Sequence, residues 1–326
     1  MDDVVLLAAC RTPIGSFGGA LKDVSAADLG ALVVRESLRR AGVGVEQVDE
    51  VYLGCVLQAG AGMNVARQAA IRAGLPTSVP AETINRVCGS GLQAVVHAAQ
   101  AIRAGDIALA VAGGTESMSN APFLLQRARW GYRLGSADVV DSMLSEGLTC
   151  ALERCHMGMT AEEVATRNGV TRGDQDAFAA ESQVRAAAAL ASGVFREEIV
   201  AVEIPQRKGP ALRVDVDEYP RPGTTVEKLS ALKPAFSKEG TVTAGNASGI
   251  NDGAAALVVA SGVKAVALGA RPLARVVSHA VTGLEPKVMG LGPVSAVRAA
   301  LAKAGLSIPD IDLFELNEAF ASQSVA

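Results

Sequence analysis

Apolar residues follow two alternating patterns along the first third of this chain. Short β-branched runs at residues 4–9, 50–53 and 107–112 alternate with Ala-rich stretches whose apolar positions recur at helical spacing, over about 26–41, 64–73 and 92–104. A run that is apolar on both sides predicts a strand covered on both faces. The interleaved helices therefore predict an α/β protein with a largely parallel, buried sheet. From about Met118 the pattern changes. Residues 119–245 hold most of the proline, charged and aromatic positions, with helical periodicity over 160–168 and 171–192 and an irregular stretch over 205–225. This predicts a domain inserted between sheet elements. Two further strands are expected at 273–277 and 313–316.

The pattern also repeats. Shifted by 263 positions, residues 34–53 overlay 297–316, with Val34/Val297, Arg35/Arg298, Leu38/Leu301, Ala41/Ala304, Gly42/Gly305, Asp49/Asp312 and Leu53/Leu316 identical. Two amphipathic helices can match by chance, but here the Gly and Asp punctuation stays in register through the loop. Two copies of one α/β unit predict two half-proteins. The second copy should then extend several tens of residues past Ala326, so the chain is expected to be cut short; a shortened second half that folds unaided is the other reading.

Composition narrows the class. Apolar residues are 49% of the 326 but aromatic residues only 3%, with 34 glycines, so the core is built of Ala, Val, Leu and Ile. Disordered chains, collagen and nucleic-acid stacking platforms are excluded. A net charge of −4 offers no global field for DNA or acidic membranes. Neither a basic leader nor an apolar run near the roughly 20 residues of a membrane span occurs, which predicts a cytoplasmic protein. The cysteines are Cys10, Cys55, Cys88, Cys150 and Cys155, without a Cys-x-x-Cys pair. That scatter argues against a disulfide framework or a zinc site.

Cys88 lies in Asn85-Arg86-Val87-Cys88-Gly89-Ser90-Gly91-Leu92, between an extended segment ending near Ile84 and a helix. At such a turn the helix start favours an anion, which is expected to lower the thiol pKa, and the glycines admit a substrate carbonyl. The same residue also reads as a small buried cysteine at a tight turn. No base is evident: His97 falls on the opposite face of the helix, His279 reads as structural, and His156 is either a ligand contact or part of a surface loop. Gly113-Gly114-Thr115-Glu116-Ser117 and the stretch 245–253 lack phosphate-loop spacing, and read as close backbone crossings or pocket walls. Asn317 and Glu318 follow an expected strand, where an α/β sheet presents polar groups to a ligand.

Together these segments resemble the thiolase family, on its acetyl-CoA C-acetyltransferase branch. The resemblance rests on Arg11-Thr12-Pro13-Ile14-Gly15, Asn85 to Gly91, Gly113 to Ser117, His156-Met157-Gly158, Gly245 to Gly253, Met289-Gly290-Leu291-Gly292-Pro293 and Asn317-Glu318-Ala319-Phe320. It implies an α/β fold of duplicated βαβαβ halves in an αβαβα layering, the second half incomplete. Residues 1–118 with 246–266 would form the N-terminal half, 119–245 a coenzyme A-binding loop domain, and 267–326 the C-terminal half. Cys88 would attack acetyl-CoA and carry the acetyl group, and Asn317 would position a water at the oxyanion site. Leu148, His156, Met157, Arg221, Phe236, Ala244, Ser248, Met289, Ala319 and Phe320 would line the coenzyme A pocket.

The resemblance further implies a ping-pong condensation of two acetyl-CoA, biosynthetic and short-chain, in polyhydroxyalkanoate or fatty acid metabolism. No permanently bound cofactor or metal, no nucleic acid and no membrane are implied; coenzyme A and acetyl-CoA are substrates, and the partner is a second copy of the chain in a tetramer or dimer. The family's Gly-His-Pro and Cys-x-Gly-Gly-Gly motifs are absent here, so the chain alone is expected to turn over poorly or not at all. The alternatives are a degradative 3-ketoacyl-CoA thiolase, a decarboxylating condensing enzyme, and a non-catalytic acyl-CoA-binding short form.

Overall fold

The structure, a computed structural model, describes residues 3–326. Its strands are β1 (Val4–Arg11), β2 (Gly15–Ser16), β3 (Glu50–Gly54), β4 (Ala81–Ile84), β5 (Leu109–Ser117), β6 (Phe123–Leu124), β7 (Val140–Asp141), β8 (Val202–Ile204), β9 (Leu212–Val214), β10 (Asn251–Ser261) and β11 (Ala274–Arg275). The helices are α1 (Ala26–Ala41), α2 (Val65–Arg72), α3 (Ser90–Ala104), α4 (Met157–Asn168), α5 (Arg172–Ser192), α6 (Val226–Ser230), α7 (Gly262–Ala267), α8 (Gly292–Ala304) and α9 (Ala321–Val325). The chain divides into two compact units. One runs to Gly147 and takes in Arg196–Tyr219 and Ile250–Val276; the other comprises Leu148–Phe195, Pro220–Gly249 and Val277–Ala326.

This division cuts across the expected inserted domain, for a local reason. Residues 119–147 and 196–219 are tied into the first unit by polar bonds. Asp252 accepts from the Ser119 amide and hydroxyl at 2.9 and 2.6 Å. Arg11 donates to Glu198 at 2.7 Å and grips Asp217 with both terminal nitrogens at 2.7 and 3.0 Å. Glu218 receives the amides of Ser16 and Ala20. The stretch 205–225 is also less irregular than expected, since β9 closes an antiparallel hairpin on β8.

In the first unit the sheet has the order β11-β1-β10-β5-β3-β4, with β2 beside β10. It is mixed rather than largely parallel. β3 pairs in parallel with β4 and β5, and these strands are separated by α2 and α3, which supply the crossovers parallel pairs need. β10 is antiparallel to both β1 and β5; it returns after the long excursion of 119–249, so its partners lie far away in sequence although turn residues bound its apolar run 254–260 on both sides. The period of two sorts the core. Val51, Leu53, Val111 and Val258 join Leu29, Val33, Val34 and Ala69 from α1 and α2 on one face. Tyr52, Ala110, Ala112 and Val259 pack with Ala94, Ala98 and Ile102 of α3 on the other.

The second unit holds helices and, among the described residues, no strand. Ala179 and Ala180 of α5, Leu229 of α6 and Ala321 of α9 form its apolar centre. Glu162 of α4 receives the amides of Thr241 and Val242 at 2.9 Å each. The expected strand at 313–316 is not formed, and Leu313 is 80% exposed; a lone strand with no ladder partner in its own unit has nothing to satisfy its backbone. The strand expected at 273–277 shrinks to the two residues of β11. No helix among the described residues is long and apolar enough to cross a membrane.

Candidate active site

In the first unit β4 ends at Ile84 and α3 begins at Ser90, and the five residues between them present Cys88. Two side chains stitch this turn. Asn85 Oδ1 accepts from the Val87 amide at 2.9 Å, while Ser90 Oγ accepts from the Arg86 amide at 2.8 Å and donates to the Val87 carbonyl at 2.5 Å. Val87 is thereby held at φ 48°, a left-handed backbone that a β-branched residue rarely adopts. Beneath the turn, a Cβ on Gly54 would stand 2.6 Å from the Ser90 carbonyl carbon, so glycine is what lets β3 end against the helix start.

Cys88 is exposed and its thiol is free. Its pKa nevertheless moves opposite to expectation. Desolvation by the surrounding chain pushes it above the ordinary thiol value and the nearby Glu116 charge adds to the rise, against a smaller lowering by the residue's own amide. The expected anion-stabilising amides are spent elsewhere: those of Gly89 and Ser90 donate to the carbonyls of Arg86 and Val87. Residue exposure and desolvation of the sulfur describe different atoms, and for reactivity the sulfur decides.

Glu116 was not singled out by the sequence, although it lies in the Gly113 to Ser117 segment. Its carboxylate receives the amides of Val56 at 2.8 Å and Leu57 at 3.1 Å, and the Cys55 thiol at 3.6 Å. Burial raises its pKa, offset in part by those amides. Gly113 itself is a close crossing, since a Cβ there would sit 2.0 Å from the Ala255 carbonyl oxygen of β10. His97 turns its ring edge to Tyr52, with centroids 6.2 Å apart.

The second unit holds Asn317 and the ten residues expected at the coenzyme A pocket. It brings three of them into an aromatic cluster. His156 stacks on Phe236 at 4.6 Å with the rings 20° apart, and Phe236 meets Phe320 edge-on at 6.3 Å. His156 also caps α4: its Nδ1 accepts from the Gly158 amide at 3.0 Å, which leaves the proton to Nε2, and burial lowers its pKa. Met157 opens that helix, and a Cβ on Gly158 would stand 2.2 Å from the Phe236 ring. Ser248 donates its amide to the Ala319 carbonyl at 2.9 Å, beside the bridge between Ala247 and Phe320. These residues thus converge.

The remaining candidates are placed without such links. Arg221 is exposed and gives its amide to Gln183 of α5 at 2.8 Å. Met289 lies in the turn 286–291 that packs on α4, Ala244 is exposed, and Leu148 is half-buried. Asn317 is exposed, and Glu318 accepts from the Ser182 hydroxyl at 2.6 Å. Among the described residues no group of three or more His, Cys, Asp or Glu is placed to hold a metal.

Comparison with known proteins points one way. Residues 4–263 match the family described as "Thiolase, N-terminal domain" and residues 270–326 the family described as "Thiolase, C-terminal domain". The chain is 57% identical over 326 residues to an "Acetyl-CoA acetyltransferase" of Pseudomonas aeruginosa, covering 100% of this chain and 83% of that one. To a protein of the same description from Cupriavidus necator it is 56% identical, again with 100% and 83% covered. The crystal structure of the Bacillus anthracis acetyl-CoA acetyltransferase superposes with a TM-score of 0.97 at 46% identity, covering 100% of this chain and 82% of that one. The expected truncation is not borne out by these matches, which give only the covered share of each relative.

Proposed function

Because this chain belongs to the thiolase family, a family of acyltransferases, we propose that it moves an acetyl group between coenzyme A thioesters on the Cys88 sulfur. The observation that carries the proposal is a free thiol on an exposed residue, set on a left-handed turn that Asn85 and Ser90 hold in place. The sulfur attacks the thioester carbonyl, the bond from carbonyl carbon to coenzyme A sulfur breaks, and coenzyme A leaves with the proton. A second acetyl-CoA, deprotonated at its α-carbon, then attacks the acetyl-enzyme, giving acetoacetyl-CoA and freeing the thiol. Thiolysis is the reverse.

In this reading the cluster of His156, Phe236 and Phe320 offers apolar surface to pantetheine, Arg221 meets a phosphate, and Asn317 orients the oxyanion water. Leu148, Met157, Ala244, Ser248, Met289 and Ala319 complete the pocket wall. The family's Gly-His-Pro and Cys-x-Gly-Gly-Gly motifs do not occur in this sequence, and the His97 ring packs against Tyr52. We therefore expect acylation to be slow and turnover by this chain alone to be poor. A cytoplasmic location, a biosynthetic role and assembly of like chains belong to the same proposal.

Incubation with acetyl-CoA followed by intact-mass and peptide analysis tests it. Acetyl on Cys88 with release of coenzyme A is expected, and Cys88→Ser should lose the adduct while keeping its circular dichroism. Coenzyme A held without any adduct would make the chain a binding protein. Reaction with malonyl donors alone would place it among decarboxylating enzymes.

A further inference from the structure

Two cysteines outside the proposed chemistry lie across one backbone bridge in the second unit. The antiparallel bridge between Thr149 and His156 sets residues 150 and 155 opposite one another, and the Cys150 amide donates to the Cys155 carbonyl at 2.8 Å. The loop between them is closed by the Arg154 amide on the Cys150 carbonyl at 2.8 Å, with Arg154 left-handed at φ 52°. Opposed residues of an antiparallel pair have Cα atoms about 4.5–5.5 Å apart with their side chains on one face, and here one of the two cross bonds is made while the Cys150 carbonyl takes the Arg154 amide instead. A disulfide spans Cα separations of roughly 4.4–6.8 Å. Both residues are half-buried and free, and Cys155 lines an open recess of about 270 Å³ together with Glu153, Met159, Thr160, Glu163 and Lys287.

We propose that Cys150 and Cys155 form a reversible dithiol–disulfide site that takes small-molecule disulfides such as oxidised glutathione. The thiolate of Cys155, reached through the recess, attacks one sulfur of the small disulfide and releases one small thiol, leaving a mixed disulfide. Cys150 then attacks the Cys155 sulfur, expels the second small thiol and closes the Cys150–Cys155 bond. The two cysteines lose two electrons and two protons, and the small disulfide gains them. The bond would close the loop immediately before His156, the residue that caps α4 and stacks on Phe236. An accessible cross-strand pair of this kind belongs to the labile, exchangeable class of disulfides rather than to the buried structural ones.

The sequence supplies the assay. Trypsin cuts after Arg154, between the two cysteines, so reduced protein yields peptides 134–154 and 155–167 separately. After treatment of the full chain with oxidised glutathione, the two peptides should run as one joined species, and dithiothreitol should separate them again. Cys150→Ser should instead accumulate glutathione on Cys155, and Cys155→Ser should yield no joined species. Stable glutathione on both cysteines of the wild-type chain, either residue bonded to Cys88, or two peptides that stay separate would overturn the proposal.

Discussion

Val87 stands at φ 48° beside the proposed nucleophile, a strain of about 1–3 kcal/mol for a non-glycine residue, and it persists because Asn85 and Ser90 bond the turn from both sides. The same tightness turns neighbouring amides onto the turn's own carbonyls, so the sulfur gains position without ionisation. The sign of the pH dependence follows. Desolvation and Glu116 raise the Cys88 pKa, and the thiolate is the reacting form, so alkylation by iodoacetamide should climb with pH and reach half its maximum above the ordinary thiol value of about 8.5. Glu116→Gln removes the carboxylate charge and should bring that midpoint down. A midpoint below the ordinary value, read from the Cys88 peptide by mass spectrometry, would mean that the helix start dominates after all.

At the scale of elements, the internal repeat separates what a sequence can show from what it cannot. Gly42 ends α1 at φ 64° and Gly305 ends α8 at φ 70°. The loop bonds recur in register: the Gly42 amide meets Arg39 and that of Val43 meets Leu38, while the Gly305 amide meets Ala302 and that of Leu306 meets Leu301. A 3-10 turn follows in each copy, at Val45–Gln47 and at Ile308–Asp310. All of this is local, as are the Ser25 and Gly42 caps that make α1 coincide with its expected span. The likeness then stops. Val51 and Leu53 are fully buried in β3, whereas their counterparts Phe314 and Leu316 are 42% and 47% exposed. A strand is made by its neighbours, which lie far away in sequence. For the same reason the pairing of β10 and the place of Glu116 were not legible, while the position of Cys88 between strand and helix was. Gly42→Ala and Gly305→Ala should each cost about 1 kcal/mol, since both glycines are left-handed caps. Leu53→Ala should cost about 2–5 kcal/mol, against about 0.5 kcal/mol or less for Leu316→Ala. Equal losses at Leu53 and Leu316 in urea unfolding would show that 313–316 is packed as a strand.

For the molecule as a whole, the shortage of aromatic residues becomes a matter of close layers. A Cβ on Gly30 of α1 would lie 3.1 Å from the Ala69 Cβ of α2 and 3.3 Å from Thr115 of β5, so small side chains set the spacing of the layers. Stability should then concentrate where strands have partners on both edges and cover on both faces. β5 and β10 pair along Asp252–Ala260, with β3 and β1 as their outer neighbours and α1 and α3 packed over them; Ala256, Val258, Val259 and Ala260 are wholly buried. The stretch 313–318 has no ladder and is exposed throughout. Native-state hydrogen exchange reads this contrast directly, because amides that open only on global unfolding exchange last and unpaired exposed ones exchange first. Amides of β5 and β10 should be the slowest in the chain, and those of 313–318 should exchange at the earliest times. Strong protection across 313–318 would require a ladder there, and the second copy of the repeat would then have to be read as a strand after all.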